Sequence, residues 1–246
     1  MIPDDALFEK IEIFHHFRRD GNRLEITPSV VLESPESATL IASYFVDSFE
    51  MIESARVSVE KGENTVPFRQ KVRIINPLIW NPHSLGEPAL YELKTVFYKN
   101  ARAHFVIVQM TGLRETELHR REGKFFLAVN GKELPCRYHA FSPESTTSEV
   151  IEFSRKYHFD FTLLKGSEGK KAEKLLDLCD RAGIAVCLDI TDMDKRQYDK
   201  IALHPCICLH AAEKGKHSKF APDFPFLTLA QVRESFMNDP SKGAHK

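Results

Sequence analysis

The segment Glu168–Ile190, EGKKAEKLLDLCDRAGIAVCLDI, changes from one hydrophobic period to another at a single glycine. Up to Ala182 the apolar residues recur at intervals of three and four, as on one face of an α-helix. Gly183 suits the left-handed residue that ends many helices, and Ile184–Ile190 is almost entirely apolar. An amphipathic helix followed at once by a buried strand is typical of the β/α units that build parallel sheets.

The same alternation of helix and strand extends through the second half of the chain. Strands are predicted at Phe159–Leu164 and Cys206–Ala211, and helices at Ser145–Tyr157 and Lys195–Ala202. A last helix is predicted at Leu227–Asn238. Units of this length indicate parallel strands joined by right-handed crossovers.

The first half of the chain contains short strands rather than helices. Runs rich in Val, Ile, Phe and Tyr are separated by turn residues, which favours an antiparallel sandwich. The predicted strands are Leu24–Thr27, Ser29–Leu32, Ala38–Phe45, Ala55–Glu60, Val66–Ile74, Glu92–Tyr98, Ala103–Gln109 and Phe125–Val129. Ahead of them, Pro3–Phe17 has the pattern of a helix.

Composition and charge exclude several classes of protein. Hydrophobic residues make up 42% and charged residues 28% of the chain, which argues against disorder. The formal net charge of −1 gives no broad basic face, so we expect no nucleic acid partner. No stretch approaches the ~20 apolar residues of a membrane-spanning helix, so we expect no membrane association.

The first residues, MIPDDALFEK, carry acids where a signal peptide has Lys or Arg. As written, the sequence predicts a cytoplasmic protein. A secreted or periplasmic location is the alternative, if the sequence is part of a longer protein with its own signal peptide.

Five cysteines lie in the second half of the chain, an odd number that does not suggest a disulfide framework. Because most fall within apolar runs, we expect them to be reduced and buried. Zinc sites pair such residues at other spacings, so we expect no metal, and no motif suggests a cofactor. The five are Cys136, Cys179, Cys187, Cys206 and Cys208.

Five short motifs occur in order along the chain. They are NPLIWNP at 76–82 with LYEL at 90–93, TGLRETE at 111–117, GKFFLAVNGK at 123–132, LCDRAGIAV at 178–186 and HPCI at 204–207. In this order and spacing they resemble segments of the family 2 glycoside hydrolases, most closely the mannosidase-like branch. The resemblance covers about residues 22–213 and identifies the chain as a truncated relative of that family.

The resemblance implies a fold and a division into domains. It implies an immunoglobulin-like β-sandwich over residues 21–118 and an α/β, partial TIM-barrel-like domain over residues 119–246. The helical extension predicted over residues 1–20 comes from the residue pattern alone and has no counterpart in the family. The pair Asn130-Gly131 suits a tight hairpin turn. Trp80 is the only tryptophan, and we expect it to pack in a core or between domains rather than against a sugar.

The resemblance also implies where catalytic residues would lie. Retaining enzymes of this kind use two carboxylates at the carboxyl ends of barrel strands. In the family, the acid/base is the Glu of an Asn-Glu pair that ends strand four, and the matching segment here, His204–Gly215, has no such pair. Glu213 lies about two positions too early, so it is either a displaced acid/base or a surface residue. No nucleophile can be assigned.

Three further residues are candidates for carbohydrate binding. Asp189 matches an Asp that the family carries on strand three, and His139 and His210 could face the same opening. For each, the alternative is structural: hydrogen bonding for Asp189 and packing for the histidines. The family's sugar-facing Asn and Arg on strand two correspond to Asp160 and Leu163, so the arginine is lost.

The function predicted from these features is a glycosidase-like pseudoenzyme that lacks a complete catalytic pair and binds a carbohydrate or a protein. One alternative is an active glycosidase that uses Glu213 with a second acid such as Asp189 or Glu144. Others are a fragment of a longer glycosidase and an unrelated protein of similar architecture. Because a half-barrel leaves an open edge, we expect the C-terminal segment, a second copy in a homo-oligomer or a protein partner to cover it.

Overall fold

The chain divides into two compact units, each built from two segments of sequence. The first comprises Met1–Pro77 and Tyr91–Thr111, and the second comprises Leu78–Leu90 and Gly112–Lys246. The sequence predicted a single boundary after residue 118, whereas Leu78–Leu90 belongs to the second unit. The computed structural model describes residues 10–20, 23–47, 50–68, 71–142, 144–202, 204–213 and 224–237.

Trp80 explains why the short segment Leu78–Leu90 belongs to the second unit. Its side chain is fully buried in the core of that unit, and its indole Nε1 donates to the backbone oxygen of Asp180 at 2.8 Å. The backbone N–H of Trp80 donates to the oxygen of Leu113 at 2.7 Å. The prediction that Trp80 packs in a core is confirmed.

Among its described residues the first unit contains eight strands in two antiparallel sheets. One sheet has the order β1–β2–β5, with β6 also paired to β2, and the other has the order β4–β3–β7–β8. The strands are β1 (Lys10–Asp20), β2 (Arg23–Ser34), β3 (Ala38–Val46), β4 (Glu50–Val59), β5 (Gly62–Pro67), β6 (Val72–Ile75), β7 (Tyr91–Lys99) and β8 (Arg102–Thr111).

Alternating side chains give these sheets a buried face. Along β2, every second residue from Leu24 to Val30 is buried, while the alternate residues Glu25, Thr27 and Ser29 are partly exposed, as expected for a strand with one face towards a core. Tyr44 of β3 and Phe68, which follows β5, are both buried with ring centroids 5.5 Å apart. The buried faces of the two sheets therefore share apolar contacts.

The N-terminal helix predicted over Pro3–Phe17 is wrong for the residues that the structure describes, and residues 1–9 lie outside them. Residues 10–20 form β1, which pairs antiparallel with β2 along its whole length. In this segment Ile11, Ile13 and Phe17 follow a period of two, which fits a strand. The deciding contribution is the long partner strand, whose backbone groups need pairing.

The second unit begins with a three-stranded antiparallel sheet. Its strands are β9 (Thr116–Arg121), β10 (Lys124–Val129) and β11 (Lys132–Glu133). The turn between the last two strands is Asn130-Gly131, with φ angles of 52° and 74°. Positive φ at both central residues is the conformation that a tight hairpin requires, so this predicted turn is confirmed.

A parallel sheet of β12–β13–β14–β15 follows, and every neighbouring pair is parallel. The predicted alternation of helix and strand is therefore confirmed. The strands are β12 (Phe161–Lys165), β13 (Ala185–Asp189), β14 (Ile207–Ala212) and β15 (Phe226–Thr228). The helices are α1 (Thr147–Tyr157), α2 (Lys170–Ala182), α3 (Lys195–Ile201) and α4 (Leu229–Val232), which a π-helical turn continues over Arg233–Met237.

Local sequence accounts for the helix ends. Thr146 caps α1 in a capping box with Glu149, and Thr228 caps α4 with Gln231 in the same way. The C-terminal end of α2 is at Gly183, whose backbone is left-handed as predicted. None of the helices in the described part of the chain combines the length and hydropathy that a membrane span requires.

The C-terminal segment contributes to the parallel sheet in two ways. As β15, it pairs with β14 and so extends the sheet at that side. Beyond α4, Phe236 is buried and its ring lies 5.3 Å from that of Phe161 in β12. Of the arrangements expected for the open edge, the structure therefore supports the one in which the chain covers part of the sheet itself.

The core of the second unit is apolar and includes all five cysteines. Each is buried and free of a disulfide, as predicted. They pack with leucine, isoleucine and valine side chains of the parallel sheet and of α2. Burial raises the pKa of the Cys208 thiol to about 11, so this thiol is protonated at neutral pH and acts as a small apolar group.

Replacing Gly183 with alanine is expected to destabilise the second unit by more than about 2 kcal/mol. Gly183 has a φ of 68°, and a Cβ there would lie 2.7 Å from the backbone nitrogen of His83. That nitrogen donates to the Gly183 oxygen at 2.8 Å, so neither group can move without loss of the bond. Urea denaturation compares this variant with Gly131→Ala, where φ is 74° but the space is open. Equal effects would contradict the steric explanation.

Candidate functional site

The carboxyl edge of the parallel sheet is where a barrel enzyme would carry its catalytic groups. Asp189 is the last residue of β13, and Glu213 directly follows β14. Asp189 lies opposite Ala211 of β14, so Glu213 stands two residues further out on the neighbouring strand. The structure therefore places two of the residues selected from the sequence at the same edge.

Thr191 connects these two acidic residues. Its backbone N–H donates to Oδ1 of Asp189 at 3.0 Å, and its Oγ1 accepts from the backbone N–H of Glu213 at 3.1 Å. Asp189 is half-buried, whereas Glu213 is exposed. The Asp189 carboxylate is thus held by a hydrogen bond within its own loop, whereas Glu213 is exposed to solvent.

Asp160 lies at the opposite end of the sheet, directly before β12. Its Oδ1 accepts the backbone N–H of Arg137 at 2.7 Å, and its side chain is fully buried. Burial raises the pKa of Asp160, while the hydrogen bond from the Arg137 backbone opposes that shift. Leu163 is half-buried within β12. The contact with Arg137 therefore gives one oxygen of Asp160 a structural role.

His210 packs inside the unit rather than lining an opening. It is 1% exposed, and its ring lies 5.4 Å from Tyr198 of α3 and 4.3 Å from Phe224. Burial, with the nearby charge of Arg114, lowers the pKa of His210 to about 3. The imidazole is therefore neutral at physiological pH and serves packing, the alternative named from the sequence.

His139 lies beside β12, because its backbone N–H donates to the oxygen of Phe161 at 3.0 Å. His210 lies on β14, so both β12 and β13 lie between the two histidines. At ~4.8 Å per strand this separates the two histidines by roughly 14 Å. His139 lines a cavity beside α1, whereas His210 is buried and does not line that cavity, so the structure does not show a common opening for the two.

A cavity of about 500 Å³ opens beside α1 and includes His139. Its wall is largely aromatic: the ring of His139 lies 4.7 Å from Phe153 and 4.9 Å from Phe141. Phe153 in turn lies 4.7 Å from Tyr157, one helical turn further on. The other residues around the cavity are Ala140, Ser142, Ser145, Glu149, Val150, Glu152 and Lys156.

The polar groups of this cavity come from α1 and from the loop that precedes it. The carboxylate of Glu149 accepts from the backbone N–H of Thr146 at 2.7 Å and from its hydroxyl at 2.8 Å, and these bonds lower the pKa of Glu149. Glu152 and Lys156 are exposed on the same helix, four residues apart. Lys156 Nζ lies 5.2 Å from the ring centroid of Tyr157.

The sequence predicted only His139 among the residues of this cavity. Phe153 does not belong to the buried face of α1, whose buried residues are Val150 and Ser154. Phe153 and Tyr157 are 37% and 38% exposed. Their spacing of four residues, which puts both rings on one helix face, was the available signal for this surface.

Comparison with solved structures decides the fold. A β-D-mannosidase from Dictyoglomus thermophilum superimposes with a TM-score of 0.67 at 16% identity, over 89% of this chain and 35% of that one. A glycosyl hydrolase family 2 member from Bacteroides cellulosilyticus DSM 14838 gives a TM-score of 0.60 at 16% identity, over 84% and 32%. The chain has the fold of part of a family 2 glycoside hydrolase.

A third example with this family 2 fold is a β-glucuronidase from Parabacteroides merdae. It gives a TM-score of 0.58 at 21% identity, over 89% of this chain and 29% of that one. The chain thus spans about a third of the length of the solved structures it matches. No protein-family model matches the sequence, and no curated protein matches it. The resemblance found in the motifs is confirmed at the level of the fold.

Another cluster of titratable groups lies between α2 and the start of β14. Asp177, Asp180 and His204 place their ligand atoms within 4.8 Å of one another, a grouping that could hold a metal ion. Both oxygens of Asp180 already have protein partners: the Cys206 N–H at 2.9 Å and His204 Nδ1 at 2.6 Å. These contacts account for the grouping as a structural network.

Proposed function

We propose that this chain is a glycosidase-like protein that binds carbohydrate and does not hydrolyse it. The observation that carries the proposal is the position of Glu213. It lies outside β14, exposed and without a preceding Asn, at the edge where the family 2 fold places its acid/base. Asp189, the neighbouring acid, is hydrogen-bonded within its own loop, which favours a structural or binding role.

The proposal includes the finer architecture implied by the motifs. In it, the first unit is an immunoglobulin-like sandwich, supported by two antiparallel sheets with buried faces in contact. The second unit contains the first strands of a (β/α) barrel. The parallel bridge between Tyr138 and Phe161, followed by β12, β13, β14 and β15 in sequence order, supports this reading.

A remodelled active glycosidase is the second candidate function. It is favoured by one observation, the shared contact of Asp189 and Glu213 with Thr191 at adjacent strand ends. Glu144, the other acid considered, is exposed and pairs with Lys174 at 3.6 Å, so it is tied to α2. If the chain is part of a longer glycosidase, the missing nucleophile would come from residues outside this sequence.

A second copy or another protein that covers the parallel sheet belongs to the same proposal. Such a partner has less of the sheet to cover, because β15 and Phe236 already cover part of it. Sedimentation of the purified chain tests this point, since a monomer at all concentrations would remove the homo-oligomer.

Assays of aryl mannoside, galactoside, glucoside and glucuronide are expected to give only the background rate, both for the natural chain and for Glu213→Gln. The physical reason is that hydrolysis requires two positioned carboxylates, and one exposed carboxylate cannot stabilise the transition state. Glu87→Gln, which changes another exposed acid of the second unit, controls for surface charge.

Turnover by the natural chain that Glu213→Gln reduces by about 10²-fold or more would overturn the non-catalytic proposal. It would establish Glu213 as a relocated acid/base. Turnover that neither substitution changes would point to a contaminating hydrolase, which an independent preparation removes.

A further inference from the structure

We propose that carbohydrate binds in the cavity beside α1, with the exposed faces of Phe153 and Tyr157 as its platform, rather than at the carboxyl edge of the parallel sheet. The ligand class is a neutral pyranoside of one or two rings. This inference rests on the proposed function, that the chain binds carbohydrate at all, and it adds where that binding takes place.

The size of the cavity suits a small ligand. Its volume of about 500 Å³ lies within the range of roughly 300–1,000 Å³ that small-molecule sites occupy. It lies wholly within the second unit, formed by the loop after Tyr138 and the exposed side of α1. A short saccharide fits this space, whereas an extended polymer would have to leave it at one end.

The aromatic wall matches the apolar face of a sugar ring. Large rings are usually well buried, yet Phe153 and Tyr157 expose more than a third of their surface here. The Phe153 ring contacts His139 at 4.7 Å and Phe159, which stacks at 5.7 Å with planes 15° apart. A ring fixed in this way loses little conformational freedom on binding, which favours affinity.

The polar rim matches the hydroxyl groups of a sugar. Glu152 supplies acceptors and Lys156 supplies donors from one face of α1. Burial lowers the pKa of His139, so its imidazole is neutral at pH 7 and offers one donor and one acceptor. Mixed aromatic and hydrogen-bonding groups of this kind favour a pyranoside over a purely apolar peptide side chain.

The carboxyl edge offers less for the same ligand. The aromatic rings of Tyr198 and Phe224 near that edge already pack against His210, and Phe224 also lies 5.5 Å from the guanidinium of Arg114. Glu213 and Asp189 provide carboxylates there, but without an exposed aromatic platform among the described residues around them. This difference between the two places favours the cavity as the carbohydrate site.

The test is ligand-observed NMR and calorimetry on the full chain with the methyl glycosides of mannose, glucose, galactose and cellobiose. At least one is expected to bind the natural chain, and Phe153→Ala and Tyr157→Ala are each expected to weaken it by about tenfold. Tyr157→Phe, which keeps the ring, is expected to retain most of the affinity. Ile41→Ala, a 40% exposed residue of the first unit, is the matched control.

Glu152→Gln serves as a second variant that leaves the aromatic packing intact, and it too is expected to weaken binding. Thermal melting curves establish that each variant is folded. Binding that survives both alanine variants but is lost in Asp189→Asn would overturn this inference and leave the proposed function standing. Failure of every glycoside to bind the natural chain would overturn both together.

Discussion

Replacing Asp180 with alanine is expected to lower the free energy of unfolding of the second unit by about 3–5 kcal/mol. The Asp180 side chain is 2% exposed and accepts from the Cys206 backbone N–H at 2.9 Å. Its other oxygen lies 2.6 Å from Nδ1 of His204, which is itself largely buried. The substitution leaves both partners inside the protein without an acceptor, and such unpaired groups are strongly destabilising.

The same pair gives stability a dependence on pH. Burial opposes a charge on His204, but the hydrogen bond and charge of Asp180 outweigh it and raise the pKa of His204. Because the pKa of His204 is higher in the folded than in the unfolded protein, its protonation stabilises the fold. This stabilisation is fully present below the unfolded pKa of about 6.5, and it is lost as the pH rises through the folded pKa. The difference between the natural chain and Asp180→Ala is therefore expected to be larger at pH 5 than at pH 9.

Urea denaturation at these pH values measures the effect, with Asp177→Ala as the control. Asp177 is 61% exposed and lies 4.0 Å from His204 Nδ1, so its loss is expected to change stability by less than about 1 kcal/mol. A stability difference for Asp180→Ala that stays constant between pH 5 and pH 9 would show that the charge on His204 does not contribute.

Replacing Trp80 with alanine is expected to cost about 3–5 kcal/mol of stability. The indole is fully buried in the core of the second unit, and its Nε1 donates to the backbone oxygen of Asp180 at 2.8 Å. The neighbouring Gly112 has no space even for a Cβ, which would lie 2.9 Å from the Trp80 Cβ. Surrounding groups this close cannot collapse fully into the volume of an indole, so a cavity would remain.

Trp80→Phe separates the two contributions, because it keeps most of the apolar surface and removes only the donor. It is expected to cost about 1–3 kcal/mol, since a buried carbonyl then loses a partner. Circular dichroism is the appropriate probe, because the variants lack the only tryptophan. Leu78→Ala, an exposed residue of the same segment, is the control. A loss of stability for Trp80→Ala as small as that for Leu78→Ala would contradict the role of Trp80 in the core.

Likeness of fold and identity of function are separate questions for this chain. The three solved structures described above are 16–21% identical to it, a level that carries the arrangement of strands but not individual residues. The segment His204–Gly215 contains no Asn-Glu pair, and Glu213 lies about two positions before the place that the motif comparison assigns to the Glu of that pair. Site chemistry must therefore be tested on the residues present here.

The sequence by itself determined the elements whose signals are local. Gly183 ends α2 and Asn130-Gly131 forms the hairpin turn, both as predicted, and Thr228 caps α4. These succeed because each depends on backbone conformation or hydrogen bonds within a few residues. Burial was predicted for the cysteines because most of them lie in apolar runs, and core packing was predicted for Trp80 because it carries a large apolar ring.

Only the tertiary structure decided which partner each segment meets. Residues 10–20 became a strand because β2 offers a long line of backbone groups, and Leu78–Leu90 joined the second unit because Trp80 packs there. Phe153 turned outward because Val150 and Ser154 occupy the buried face of α1. His210 was separated from His139 by the order of the parallel strands. Each outcome depends on contacts between residues distant in sequence, which hydrophobic period and local propensity do not encode.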